Sequence, residues 1–479
     1  MGIGWYTRSV LLAHFGNNCV LSSTVNDVYN MLGRGGQRAG RTRRKRRRRQ
    51  QNTSQSGSLS HQLQYVTLMK FLHKRGFDCV LQPANFIDIG RGLQAQEMIK
   101  PDELIISLPE VCLITTSTVL DSYLGPYIKS WKPRLSPLLV LCVFLVCERH
   151  RGEESDWFAY INVLPATYTC PSYFSNDVIA LLPASIQSRA LDQREEVKDL
   201  HSSNQDFFRS LQPILSRAVE EVLTYEALRW AWCCVNTRSV FLPRPPNHFL
   251  CGQDVNALAP FLDLLNHRPD VQVSASFNHV TACYEIRTVT GIQRYQQAFI
   301  NYGSHDNQRL LIEYGFVAPG NPNSVVYIDT DLLQQVLRGA GDRSVEHKMR
   351  FLRENNFSHN LTVSSDGPSW RLMTVLKVLA LPQSSYPYWK AVLLGQSVCE
   401  DSEQWAGRTA WILCQRLLQD TNTSMDKISS LLQHCDKPMK EQLGVIRSLR
   451  QEEQNILESC MRVLHGILGE SSLTQPKQG

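Results

Sequence analysis

The chain has 479 residues and a formal charge of +6, but the run from Arg41 to Arg49 (RTRRKRRRR) supplies eight positive charges by itself and leaves the remainder at −2. A basic tail rather than a basic fold sets the charge, so a nucleic-acid binder with a basic, aromatic face finds support only in that run. A hydrophobic content of 43% and a charged content of 20% describe an ordinary globular chain, without an apolar run near the roughly 18 residues of a membrane span. The fourteen cysteines include no C-x-x-C pair, which argues against a zinc site or redox motif and fits a reducing compartment.

Residues 1–60 hold one acidic residue, Asp27, among many Gly, Ser, Gln and Arg. Such a segment buries too little apolar surface to offset its ordering entropy, so a disordered basic tail is expected. The basic run reads as a nuclear-import signal or nucleic-acid contact, as a solvated tail, or as an Arg-rich mitochondrial presequence. Val10-Leu11-Leu12-Ala13 is too short for a signal peptide, and Tyr6 breaks the myristoylation pattern. A cytoplasmic and nuclear location is the expectation.

Beyond His61, Tyr65, Leu68, Met69 and Leu72 recur at helical spacing, and Lys74-Arg75-Gly76 supplies a helix end. Ile87-Asp88-Ile89 reads as a strand running into a Gly90-Arg91-Gly92-Leu93 turn, and a second strand runs from Leu104 to Pro109. Two glycines at alternate positions suit a tight turn or a close approach of backbone to ligand. They are not a dinucleotide fingerprint, because the third glycine and the following helix are lacking. From Ser136 to Ala231 the pattern is helical, with Pro137 to Cys147 as a buried core helix. The apolar residues Trp157, Tyr160, Ile161 and Leu164, and then Phe207, Phe208, Leu211 and Leu215, are assigned to packing. Arg238 follows at a helix-to-strand junction, where a surface or salt-bridged arginine is the ordinary reading.

Val271, Val273, Ala275 and Phe277 alternate with polar residues, as do Tyr284 and Ile286, which predicts a hairpin turning near Asn278-His279. Asn266-His267 precedes this hairpin and Tyr302-Gly303 follows it. Either pair alone suits a structural histidine or a turn glycine. After a boundary at Pro319-Gly320-Asn321-Pro322, helices are expected at Leu332 to Leu337, His347 to Leu352, Leu372 to Leu381 and Thr409 to Leu418. A long amphipathic helix carrying Met439, Leu443, Ile446, Ile456, Cys460, Val463 and Ile467 closes the pattern.

Taken in order, GRGL at Gly90, DLLNH ending at His267, INYG ending at Gly303 and DNQRLLIEYGFV ending at Val317 resemble the SET domain, the lysine methyltransferase module. The variant is that of the plant Rubisco large-subunit methyltransferase class, and the likeness runs from about Tyr65 to the C-terminus. It implies an α+β chain: a disordered basic tail over 1–60, and a β-rich SET domain over 61–320 with a pseudoknot and a helical insert at about 124–232. An all-α substrate-binding domain over 321–479 would follow.

The resemblance further implies S-adenosylmethionine as cofactor, no metal, and lysine side chains of histone or non-histone proteins as substrate. By the same likeness Gly90, Arg91, Gly92 and Leu93 pack against the cofactor, Glu103 and Ile105 flank its adenosine, and Arg238 meets its carboxylate. Asp263 to His267 threads beside Tyr302, with Asn266 and His267 holding the cofactor's amino acid end and adenine. Tyr302 is the expected catalytic residue, Tyr314 borders the cofactor, and Phe316 walls the lysine channel. Arg268-Pro269 departs from the class, whose members have a small residue such as Ser after the His. A protein-histidine methyltransferase and a non-catalytic SET-fold scaffold are the alternatives.

Overall fold

In the computed structural model the described residues run from 56 to 469, apart from residues 88, 339–344, 383–384 and 386–387. The run from Arg41 to Arg49 and most of the expected tail lie outside the described residues. The chain divides into two compact units. One comprises the described residues up to Pro165 together with Asn204–Gly303, and the other Ala166–Ser203 together with the described residues from Ser304 onward.

The first unit is built on short strands: β1 (Ser56–Ser58), β2 (Leu81–Phe86), β3 (Gly90–Ala95), β4 (Leu104–Pro109), β5 (Ser239–Phe241) and β6 (Asn256–Leu258). They are followed by β7 (Asn266–His267), β8 (Val273–Asn278), β9 (Cys283–Thr288) and β10 (Gln297–Ile300). One sheet has the order β1-β2-β3-β10-β7, a second β4-β9-β8, and β5 pairs with β6. The β8–β9 hairpin pairs from Val273↔Thr288 to Asn278↔Cys283, as its alternation predicts. Ser56–Ser58, inside the stretch expected to be disordered, pair with Phe86–Ala84 as an edge strand. Backbone hydrogen bonds along an open sheet edge need no apolar side chains.

The glycine stretch differs from its sequence reading. Phe86 pairs with Gly90, so the chain reverses between them, and Ile87 and Ile89 are 71% and 53% exposed. Gly90-Arg91-Gly92-Leu93 is the start of β3, not a turn. Gly90 has φ +81°, which suits the strand's entry from that reversal.

Helix Pro137–Arg151 is buried from Pro137 through Glu148 and capped by the Ser136 hydroxyl accepting from the Leu139 amide. Helix Tyr225–Arg238 packs along it. The Trp157-to-Leu164 pattern yields only a four-residue helix, Phe158–Ile161. Among the described residues no helix is long and apolar enough to cross a membrane.

The second unit is helical: Ala184–Ser202, Asn307–Tyr314, Thr330–Arg338, Val345–Glu354, Trp370–Ala380, Glu400–Leu431 and Lys437–Leu468. It also carries a small sheet, β11 (Val326–Tyr327), β12 (Thr362–Ser364) and β13 (Gly367–Pro368), too short for alternation to reveal. Phe174, Ile179, Leu182 and Ile186 share one apolar cluster with Leu311, Ile428, Leu443 and Leu449.

Candidate active site

β10 pairs with β7 in parallel, Phe299 opposite Asn266 and Ile300 opposite His267. Parallel strands end at the same edge, so the residues leaving each strand emerge side by side. The Arg268 amide donates to the Ile300 carbonyl (2.9 Å), and Asn301 Nδ2 donates to the Pro269 carbonyl (3.1 Å). The Tyr302 amide donates to His267 Nδ1 at 3.0 Å, which requires that nitrogen to be unprotonated. The two rings lie 5.2 Å apart. The Tyr302 hydroxyl donates to the Leu265 carbonyl at 2.7 Å, and the residue is 8% exposed. Burial pushes its phenol above the ordinary range, while Arg238 draws it down and Asp263 raises it again. Tyr302 is therefore an O–H donor at neutral pH and not an anion.

Gly92 of β3 lies against this strand pair. A Cβ on Gly92 would collide with Gln297 Nε2 and stand 2.9 Å from Asn266 Nδ2 and 3.2 Å from the Phe86 ring, so any larger residue would push the Gln297 and Asn266 carboxamides from their present positions. Asn266 Nδ2 donates to the Arg91 carbonyl at 2.8 Å. Arg91 turns its guanidinium away, donating to the Val163 carbonyl at 2.6 Å and to the Tyr65 hydroxyl at 3.4 Å. Leu93 is fully buried and pairs with Ala298 of β10.

Ahead of β7, Phe261 adopts φ +72°, ψ −48°, a conformation that costs a bulky residue of order 1–3 kcal/mol. Its ring is fully buried edge-on to Phe77, and that packing holds it in place. The turn that follows buries Asp263. Arg238, the last residue of its helix, donates from Nη1 to both the Asp263 carbonyl and Oδ2 at 3.1 Å. Tyr160 donates to the same Oδ2 at 3.0 Å. Burial raises the Asp263 carboxyl above its usual range, and Arg238 and Tyr160 hold it down in part.

Thus Arg91 to Leu93, Arg238, Asp263, Asn266, His267 and Tyr302 form one connected cluster, with Gly90 at the entry of the same strand, paired with Phe86. Glu103 immediately precedes β4 of the other sheet, and Ile105 lies within it. Glu103 accepts from the Lys100 amide at 2.7 Å and its side chain is 47% exposed, while buried Ile105 offers its carbonyl to the Cys79 thiol at 3.5 Å. Tyr314 and Phe316 belong to the second unit, 6.2 Å apart between ring centres. There Gly315 ends the helix at φ +78°, with the Cys170 backbone too close for any Cβ. Arg268 is held sideways, donating to Asp270 at 2.7 Å with its guanidinium 4.8 Å from the Phe299 ring. Three partners escaped the sequence reading: Tyr160, assigned to packing, and the carbonyls of Val163 and Leu265. A backbone carbonyl leaves no mark on composition or spacing, and helical periodicity marks Tyr160 only as apolar.

The cluster offers a buried phenol, a guanidinium, a carboxamide and inward-facing carbonyls. No group of three or more His, Cys, Asp or Glu placed to hold a metal occurs among the described residues.

Residues 90–303 match the SET domain family model and residues 339–457 the Rubisco LSMT substrate-binding model. SET domain-containing protein 4 of Mus musculus is 43% identical over 90% of this chain and 99% of its own length. SET domain-containing protein 4 of Homo sapiens is 44% identical over 89% and 98%. A crystal structure of the SET domain of LSMT bound to lysine and AdoHcy superposes with a TM-score of 0.57, at 18% identity, over 86% of this chain and 93% of that one. The strand knot, the glycine that admits Asn266 and these full-length similarities agree: the chain belongs to the SET-domain methyltransferase family, in the branch that joins the SET fold to a Rubisco LSMT substrate-binding domain and includes SET domain-containing protein 4.

Proposed function

We propose that this chain transfers methyl groups from S-adenosylmethionine to lysine side chains of histone or non-histone proteins, or both. The observation that carries the reading is the parallel β7–β10 pairing, which sets Asn266 and His267 beside a buried, protonated Tyr302. The solved LSMT structure bound to lysine and AdoHcy supports the same ligand classes. The residues present fit the cofactor: Gly92 lets the Asn266 carboxamide lie close over the β3 backbone, and Arg238 is a largely buried cation suited to paired hydrogen bonds with a carboxylate. S-adenosylmethionine supplies the methyl group on a sulfonium whose charge also disfavours a protonated amine beside it.

The chain's own work is to orient and to exclude water. A lysine amine has a pKa of about 10.4, so presenting it neutral at pH 7 costs about 4.6 kcal/mol, and a dry channel lowers that cost. Tyr302, with its proton held by burial, orients the amine rather than taking its proton. Carbonyl oxygens around the methyl add weak C–H···O contacts. The roles of Glu103, Ile105, Tyr314 and Phe316 rest on the family likeness alone.

The test is transfer of labelled methyl to histones and to unfractionated cell extract, with the modified side chain read by mass spectrometry. Wild type is expected to make methyl-lysine, and Tyr302→Phe to lose about a hundredfold in turnover while still binding cofactor, the size of a lost orientation. Methyl-histidine would replace lysine as the substrate side chain. No transfer, with no cofactor binding on titration, would overturn the reading.

A further inference from the structure

Tyr160 lies in the helical insert, fully buried, where a phenylalanine would pack equally well. A buried tyrosine hydroxyl needs a partner, and here the partner is the Asp263 oxygen that also receives Arg238. The other oxygen, Oδ1, accepts no hydrogen bond among the described residues. Oδ2 alone therefore fixes the rotation of the carboxylate, and two donors from different elements converge on it. One turn further along the insert, the Val163 carbonyl takes the Arg91 guanidinium, and the Arg91 carbonyl in turn takes Asn266. Residues 160–163 thus reach both ends of the Asp263-to-Asn266 turn.

We infer that Tyr160 is a positioning residue for cofactor binding, its hydroxyl fixing the Asp263 carboxylate and, through it, the guanidinium of Arg238. This rests on the cofactor reading proposed above. With the hydroxyl removed, Arg238 is the only remaining donor to Oδ2 among the described residues, and although it keeps its bond to the Asp263 carbonyl, the carboxylate loses its second anchor and the ion pair loosens. Arg238 then spends binding energy on being ordered when the cofactor arrives. Tyr302 keeps its bonds to Leu265 and His267, so turnover at saturating cofactor is retained.

The experiment compares the full chain with Tyr160→Phe and, as a control for packing alone, Trp157→Phe from the same turn. Calorimetric titration with S-adenosylmethionine gives the Kd, and steady-state assays give KM for cofactor and for protein substrate separately. Tyr160→Phe is expected to weaken cofactor Kd and KM about tenfold, the size expected for a hydrogen bond to a charged group. Its kcat and its protein-substrate KM should stay within about twofold of wild type. Trp157→Phe is expected to lose thermal stability with no such selective change. Cofactor affinity within twofold of wild type in Tyr160→Phe would overturn the inference. So would equal losses in kcat and both KM values, or loss of its cooperative unfolding transition, since the hydroxyl would then serve the fold. Failure of the wild type to bind S-adenosylmethionine sinks the proposed function instead, and the two failures are distinguishable.

Discussion

The imidazole of His267 works through a nitrogen without a proton, accepting from the Tyr302 amide across the strand knot. Replacing it by Phe keeps an aromatic ring beside Tyr302 but removes the acceptor. An amide buried without its partner costs about 1–3 kcal/mol, so His267→Phe should lower the unfolding free energy by that amount, read as a lower urea midpoint with little change in m. An unchanged midpoint would show that the amide finds another acceptor. Asn266, His267 and Tyr302 were legible in the sequence because their order and their place at strand ends form a motif. Their bonding was not legible: Asn266 reaches a backbone carbonyl in β3 far back in the chain, and Tyr302 reaches the carbonyl of Leu265. Arg268, which departs from the class pattern, is tied to Asp270 and Phe299 instead of adding a free charge.

Long amphipathic helices were the most legible elements, since one apolar face repeated over many turns needs no knowledge of its partner. The β3 glycines were misread as a turn because glycine marks both reversal and close approach. The pairing of Gly90 and Gly92 with Phe86 and Ala84, and the Asn266 carboxamide over Gly92, distinguish the two. Helix Lys437–Leu468 hides a buried polar set that periodicity would not predict. Arg450 and Glu453, each 3% exposed, bond each other at 3.1 Å. Arg450 Nη2 also meets Ser424 and Asp420 of Glu400–Leu431 at 3.2 Å, and Gln308 of Asn307–Tyr314 donates to Glu453 at 3.0 Å. Burial pushes the Glu453 carboxyl above the ordinary glutamate range, with Arg450 and Gln308 pulling it part of the way back. Its folded pKa thus exceeds its unfolded one. In the window between them the folded state holds the extra proton, so stability falls as pH rises through that window, the reverse of an exposed, paired carboxylate. Glu453→Gln has no such proton to lose. The wild-type chain should therefore lose stability relative to the variant as pH is raised from the ordinary glutamate value, in urea unfolding at a series of pH values. A difference independent of pH would show that the carboxyl titrates normally.

At the scale of the whole molecule, the second unit takes Ala166–Ser203 out of the middle of the chain. Periodicity identifies the apolar face of such a segment but not the distant residues that bury it, so this grouping had no sequence signature. Here Phe174, Ile179 and Ile186 pack with Leu311, Ile428, Leu443 and Leu449, all supplied from beyond Gly303. Each such side chain is worth about 1.5–3 kcal/mol in burial. A fragment truncated after Gly303 keeps these side chains and loses their partners, leaving an apolar patch of the kind that drives association. The fragment is expected to bind the dye ANS and to aggregate. Adding Phe174→Ser, Ile179→Ser and Ile186→Ser should reduce both. In the full-length chain the same three changes should act oppositely, lowering the unfolding midpoint because the partners are then present. If the changes left fragment and full chain alike in dye binding and stability, those side chains would owe their burial to contacts inside residues 56–303.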